Sequence, residues 1–425
     1  MLDLLMIGGP SGVGKTTAVD ALLRDYPQRY SRPVSVTSRQ RRPGEGNSEY
    51  TFCSRADILK MNECGALLTL DEVYDNYYAI TKESLASLTA TGSTPIKEIH
   101  PKNHQKIQRL LKHAVSIVLL PEPTHPPTRL AGASAGPEKR DVEDGDCYGQ
   151  QELAFADFVL SISDSDSPSH VAQRIHRAAC LHESFSGRFP HPREIDTRNQ
   201  EGYQQLAPQF TEALRPTTTN FHSASFAFFS NAISSLKKGA QCLEIGPGNG
   251  WLRSVGSWPQ VQYCAVDICD SMHLHAPSIR SVGSARLLPF RSGCFDAIFG
   301  SLADGYIYPA AILEMERVLK VGGTIFLSLP AHEWARGIRK DDGDITTFHL
   351  SDKTAVSVYS FALQQHLLKG LFEATGLKVL ECFDVPASAI EGTIPIAAAI
   401  IQSAENQGLP VNTLPIVTVL SIGKI

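Results

Sequence analysis

The sequence predicts an α/β protein of two domains, and three observations carry that reading. Short β-like apolar runs alternate with helical patterns through both halves, as expected of parallel sheets flanked by helices. Two glycine loops of different type each follow a segment that reads as a strand, residues 9–16 after the apolar run 4–7 and residues 246–250 after 240–245. The chain of 425 residues also exceeds what one hydrophobic core normally organises.

Composition narrows the function class. A hydrophobic content of 42% with 20% charged residues describes a globular protein. The 39 Lys and Arg against 44 Asp and Glu leave a net charge of −5, which argues against a nucleic-acid partner and for small-molecule substrates. Nine cysteines without a CxxC pair exclude a zinc knuckle and a disulfide framework, so reduced thiols are expected. No basic segment precedes the first apolar run, and the longest apolar stretch, 394–401, is too short for a bilayer. No membrane association and a cytoplasmic location are therefore expected. Nothing in the sequence sets an oligomeric state.

Residues 9–16, Gly-Pro-Ser-Gly-Val-Gly-Lys-Thr, fit GxxxxGK[ST]. The preceding strand and a helical pattern over 18–23 give the context in which backbone N–H groups converge on a phosphate. A glycine turn without a ligand is the plainer alternative. The ATP-binding set is Gly9, Ser11, Gly12, Gly14, Lys15, Thr16 and Thr17. Lys15 reaches the transferring phosphoryl group, and the Thr16 hydroxyl is the candidate ligand for Mg²⁺.

Residues 34–45, followed by Tyr50-Thr51-Phe52, supply the guanidinium forks and hydroxyl that a nucleoside monophosphate needs: Arg39, Arg42 and Tyr50. With the block 72–81, this region resembles the GMP-binding part of guanylate kinases. The resemblance implies that Ser35 and Glu72 contact guanine, that Tyr78 holds the acceptor phosphate, and that Thr81 replaces a base-binding serine. Glu98 aligns with the first acid of the family's Asp-Ile-Asp, whereas the second acid is His100. In the lid, Arg129 is kept, but alanine stands where the family has another arginine, and Arg140 is the nearby candidate to replace it. Arginines there stabilise charge on the transferred group, so Lys15, Arg129 and Arg140 form the catalytic set. Residues 121–149 read as a long irregular stretch.

The first domain is placed at 1–181, ending with a helix over 171–179. Residues 182–220, polar and broken by prolines, read as a linker and the N-terminal segment of the next domain, which occupies 221–425. Its glycine loop, Leu243-Glu244-Ile245-Gly246-x-Gly248-x-Gly250, is followed by a strand over 262–266 ending in Asp267, an acid placed for ribose hydroxyls. Then come Leu288-Pro289-Phe290, Phe295-Asp296, and a helix with a glycine turn over 314–323 before a strand at 324–329. In this order the motifs resemble those of class I S-adenosylmethionine-dependent methyltransferases. A nicotinamide enzyme shares only the first two.

The resemblance implies that Glu244 and Gly246 line the methionine part of the cofactor, beside Gly248 and Gly250, while Asp267 grips the ribose. Ser284 stands where an adenine-binding aspartate is common, so Ala285 backbone or Arg286 takes over. Leu302 and Ala303 face cofactor and acceptor. His332 and His349 are candidates for the base of methyl transfer, with His366 a weaker third. The charged stretch 334–349 reads either as an acceptor-binding insertion or as a solvated loop. Phe221, His222 and the aromatics of 226–229 read as a helix over the cofactor mouth or as plain core.

The fold expected is thus a P-loop kinase fold followed by a Rossmann-like class I methyltransferase fold, with ATP, Mg²⁺ and S-adenosyl-L-methionine as cofactors and a guanine nucleotide as partner. Phosphorylation of GMP or a related nucleotide-like phosphate, plus methylation of a small polar acceptor, is the joint expectation. A methyltransferase regulated by a non-catalytic guanine-nucleotide sensor is the alternative.

Overall fold

The computed structural model describes residues 2–43, 50–73, 75–123, 153–209, 215–272, 280–339 and 343–425. They fall into two compact units, one within Met1–Pro121 and Arg140–Ser186, the other within Glu122–Lys139 and Gly187–Ile425.

In the first unit the opening apolar run forms β1 (Leu4–Gly8), buried along its whole length, and the glycine loop carries it into α1 (Lys15–Asp25). There follow β2 (Tyr30–Ser31), β3 (Ser35–Thr37), β4 (Tyr50–Phe52), α2 (Arg55–Glu63), β5 (Leu67–Val73), β6 (Asn76–Thr81), α3 (Lys82–Ala90), β7 (Thr94–Glu98), α4 (His104–Leu110), β8 (Ala114–Pro121), β9 (Phe158–Ile162) and α5 (Pro168–Ser184). The main sheet runs β2-β7-β1-β8-β9 with every pair parallel. Burial of consecutive residues in β1 and β8, instead of alternation, is what strands in a sheet covered on both faces require. The strand order reverses at β1, so its loop opens at the crevice where such sheets bind ligands. A smaller sheet, β4-β3-β6-β5, stands apart from it.

Helix α5 runs well beyond 171–179. Ser167 caps its start by accepting the His170 N–H, and its apolar face continues through Leu181, so residue 181 lies inside the helix. The polar stretch after it is not a plain linker either. It forms α6 (Pro192–Leu206) and α7 (Pro216–Ser234), each with proline in its first turn, where the missing N–H costs nothing.

The second unit continues with β10 (Gln241–Ile245), β11 (Gln262–Asp267), β12 (Arg280–Val282), β13 (Phe295–Ser301), α8 (Pro309–Val318), β14 (Leu319–Pro330), α9 (His332–Ile338), β15 (Ile345–His349), β16 (Ala355–Tyr359), α10 (Gln365–Ala374), β17 (Lys378–Pro386), α11 (Ala398–Gln407) and β18 (Pro415–Gly423). Its sheet runs β12-β11-β10-β13-β14-β18-β17. The first five strands are parallel, while β18 is antiparallel to both neighbours. The order reverses between β10 and β13, which sets the loops after these strands side by side.

Helix α7 is partly core, with Phe226 exposed. Phe221 packs edge-on against Trp334 at 4.8 Å, and Phe229 joins Ile233, Cys242 and Phe299 beneath the sheet. The described part of the charged stretch is not a plain loop: it holds most of α9 and strand β15, which pairs with β16. Among the described residues, eight cysteines form no disulfide and no helix is long and apolar enough to cross a membrane.

Candidate functional site

The loop after β1 needs its glycines. Gly12 and Gly14 have φ of 79° and 92°, the left-handed region that side chains disfavour. At Gly9, with φ of 141°, a Cβ would collide with the Leu119 carbonyl. Lys15 opens α1 and folds back, its ammonium donating to the carbonyls of Gly9 and Pro10 at 2.7 Å each. The loop thus carries its own cation over its mouth, with Ser11, Thr16 and Thr17 exposed beside it. This arrangement can hold a polyphosphate against backbone amides.

The smaller sheet brings the monophosphate candidates together. Register places Ser35 opposite Tyr50 and Ile80, and Thr37 opposite Phe52 and Tyr78. The Tyr50 and Tyr78 rings meet edge-on at 6.0 Å. The Arg39 guanidinium lies 5.5 Å from the Tyr50 ring centre, and the Lys97 ammonium 5.2 Å from it on β7. Lys97, a second cation at this ring, was not singled out in the sequence. The Ser35 hydroxyl is buried and has no hydrogen-bond partner among the described residues, as a group awaiting a ligand would be.

Other members of the set are held differently. Glu72 is exposed and paired with Arg55 at 2.7 Å, and that guanidinium also lies 4.3 Å over the Tyr77 ring. Thr81 is engaged as the cap of α3, its hydroxyl accepting the Ser84 N–H at 3.1 Å, so its side chain has a structural task where base recognition was expected. Glu98 lies 3.4 Å from Arg32, which also pairs with Asp20 at 2.9 Å. His100 caps a short turn by accepting the Lys102 N–H. Arg42 is exposed. Arg129 and Arg140 lie outside the described residues.

In the second unit, Gly246, Gly248 and Gly250 all have positive φ, at 66°, 53° and 79°. Asp267 ends β11 next to them. Its carboxylate accepts the Cys269 N–H at 2.9 Å and faces the Gly248 N–H at 3.4 Å. Burial nevertheless pushes it up to about 6, the three backbone N–H groups around it only partly opposing that rise. Glu244 on β10 is fully buried with one carboxylate oxygen unpartnered among the described residues, and burial raises it to about 8 against the pull of Arg253. An orphaned carboxylate and a buried acid at the rim of a left-handed glycine loop match the ammonium and ribose of an aminoacyl-type nucleoside.

Residues after the other strands complete the rim. Leu302 has φ of 53°, strained for a leucine, and its N–H is held by the Ser328 hydroxyl at 3.1 Å. The ring of Tyr306 lies where a Cβ on Gly246 would come within 2.8 Å of it, so that glycine is required by a neighbouring side chain as well. The Ser284 hydroxyl accepts the Arg286 N–H at 3.2 Å, and Ala285 is buried. Arg286 itself is held by Asp196 at 2.8 Å. His222 stacks on Trp251 at 4.0 Å with an interplanar angle of 5°, and burial drives it down to about 3, so it stays neutral.

The histidine candidates separate clearly. Nδ1 of His332 lies 3.0 Å from the Ala362 carbonyl, which can only accept, so Nδ1 carries the proton of the neutral ring. Nε2 then accepts from the Gln364 amide at 3.3 Å, and His332 lines a cavity of about 240 Å³ between α9 and the start of α10. His349 does not line it: it stands exposed at the end of β15, opposite Ala355. His366 is exposed on α10 and likewise does not line it.

Helix α6 supplies site residues that the sequence reading missed. Besides Asp196, its Asn199 bonds both the N–H and the carbonyl of Tyr359, at 2.7 and 3.3 Å. Burial raises the Tyr203 hydroxyl, with the Asp304 and Asp267 carboxylates adding to the rise. The signal available was the spacing of residues 195, 199, 202 and 206, but only two of these are apolar.

Comparison with known proteins gives matches for both units. Residues 2–166 match the guanylate kinase family and residues 243–327 a methyltransferase domain family. The chain is 37% identical over 119 residues to the guanylate kinase of Methylococcus capsulatus, a match covering 28% of this chain and 58% of that one. An equal identity over 121 residues links it to the guanylate kinase of Escherichia coli, again over 58% of that enzyme. The chain thus spans less than two thirds of these curated relatives. Among solved structures, a guanylate kinase from Anaplasma phagocytophilum aligns at 21% identity and a TM-score of 0.28, over 43% of this chain and 86% of that one. A 1,6-didemethyltoxoflavin-N1-methyltransferase from Burkholderia thailandensis aligns at 15% and 0.32, over 56% and 91%. The chain thus carries a segment that matches the guanylate kinase family, followed by one that matches a methyltransferase domain family.

Proposed function

We propose that the chain is a bifunctional transferase. The first unit phosphorylates GMP or a related nucleotide-like phosphate with Mg²⁺ and ATP, and the second methylates a small polar acceptor with S-adenosylmethionine. The observation that carries the first activity is Lys15 poised over a phosphate loop that keeps every glycine. In this reading Gly9 to Thr17 hold the polyphosphate, Thr16 holds the metal, and Arg39, Tyr50 and Tyr78 orient the acceptor phosphate. Positioning and charge neutralisation then account for most of the rate.

For the second activity, bound S-adenosylmethionine supplies an electrophilic methyl group. Glu244 receives its ammonium and Asp267 its ribose hydroxyls, while Leu302 and Tyr306 close the rim. His332, its tautomer fixed by Ala362, takes the proton from the acceptor nucleophile at Nε2 once the acceptor displaces the Gln364 amide from it.

Incubation of the intact chain with ATP, Mg²⁺ and GMP or dGMP is expected to release ADP. Saturable nucleotide binding without ADP, combined with nucleotide-dependent methyl transfer, would replace the kinase with a sensor. Absence of methyl transfer from labelled S-adenosylmethionine to any guanine nucleotide, base or nucleotide-like phosphate would remove the joint reading.

A further inference from the structure

The cavity beside His332 has an unusual wall. Among its described lining residues are three guanidinium groups, Arg188, Arg336 and Arg339, against one carboxylate, Asp344, an excess of two positive charges. Asp344 fixes Arg188 by a two-pronged ion pair, one arm at 3.1 Å. Arg339 is fixed by the Ser360 carbonyl and hydroxyl, both at 2.6 Å, and by the Thr346 hydroxyl at 2.8 Å. Arg336 is the exposed member, sharing Glu333 at 2.9 Å and Gln407 at 2.9 Å. Two anchored guanidinium groups and one adaptable one make a preorganised anion cradle.

The cavity is also close to the cofactor rim. Its lining residues Ala335 and Ala362 belong to the same packed cluster as Leu302, the strained residue after β13. His332 lines the same cavity.

We propose that this cavity binds a phosphate monoester through Arg188, Arg336 and Arg339, and that the methyl acceptor is a small molecule carrying that group. A phosphate monoester carries close to two negative charges at neutral pH and can take charge-assisted bonds from all three guanidinium groups, although Asp344 already pairs with Arg188 and Glu333 with Arg336. The inference rests on the methyltransferase reading. In the transfer, the carbon–sulfur bond of the sulfonium breaks as the bond from carbon to the acceptor heteroatom forms. The sulfur leaves as a neutral thioether, and the acceptor proton passes to His332.

Calorimetric titration of the intact chain with phenyl phosphate, with Mg²⁺ and ADP saturating the phosphate loop, tests this. Arg336→Gln and Arg188→Gln are each expected to weaken phenyl phosphate about 10-fold or more, the scale of a charge-assisted hydrogen bond. Both are expected to keep S-adenosylhomocysteine affinity unchanged. Benzoate, of similar size with one charge, is expected to bind about 10-fold more weakly. Binding that falls only with Arg39→Gln, or that is equal for benzoate, overturns the proposal. Loss of S-adenosylhomocysteine binding in the unsubstituted chain strikes the cofactor reading instead, while the phenyl phosphate arm still reports on the cavity.

Discussion

Asp196, on helix α6, accepts from the Arg286 guanidinium at 2.8 Å and from the Tyr308 hydroxyl at 3.0 Å. This one carboxylate ties a helix to the segment after β12 and to the residue that caps α8. Both members of the ion pair are largely shielded from solvent, with side-chain exposures of 12% and 16%. Asp196→Ala leaves a guanidinium and a hydroxyl without this partner. We expect a loss of about 2 kcal/mol in stability and weaker S-adenosylmethionine binding, measured by urea unfolding and calorimetry. Asp196→Asn is expected to recover part of both.

Lys15→Met keeps the length of the side chain and removes its charge from the phosphate loop. ADP formation with GMP is expected to fall by about 10²-fold or more, while methyl transfer is unaffected. A coupled ADP assay beside a labelled-methyl assay on the same preparation separates the two.

Burial raises Glu244 to about 8 and Asp267 to about 6, so both bind protons more tightly folded than unfolded. The folded state therefore loses stability as pH rises from the ordinary carboxylate range toward pH 8. Glu244→Gln is expected to flatten that slope and to be the more stable protein at pH 8 by at least about 1 kcal/mol, read by chemical denaturation at pH 5 and pH 8. Because a bound ammonium favours the ionised carboxylate, S-adenosylmethionine affinity of the unsubstituted chain is expected to rise with pH over the same window and to release protons.

His332→Ala is expected to lower methyl transfer by about 10²-fold with S-adenosylmethionine affinity retained, whereas His349→Ala stays near the unsubstituted rate. Single-turnover methyl transfer measures both.

What the sequence disclosed follows from how locally each feature is encoded. The glycine loops were legible because positive φ at Gly12, Gly14, Gly246 and Gly248 needs a particular residue at a particular place. Strand β1 was legible as an unbroken apolar run, and β10 and β11 as short β-like segments beside the glycine loop and Asp267. Helix α6 was not, because two of its inward positions are Asn199 and Gly202. Asn199 is buried for its bonds to Tyr359, and Gly202 because a Cβ there would come within 2.5 Å of Val358. Both reasons are tertiary and leave no apolar period. The choice of His332 over His349 was equally hidden, since it depends on the Ala362 carbonyl, 30 residues away. The capping role of Thr81 competes with the ligand role that its motif suggests, and only the start of α3 reveals it.

The claim beneath all of this is that the two units hold separate ligands. Sequential calorimetric titration of the intact chain with ADP and Mg²⁺, then with S-adenosylhomocysteine, tests it most directly. We predict one site for each, with Lys15→Met weakening only the first and Asp267→Ala only the second. Retention of neither ligand, or loss of both through either substitution, would contradict it.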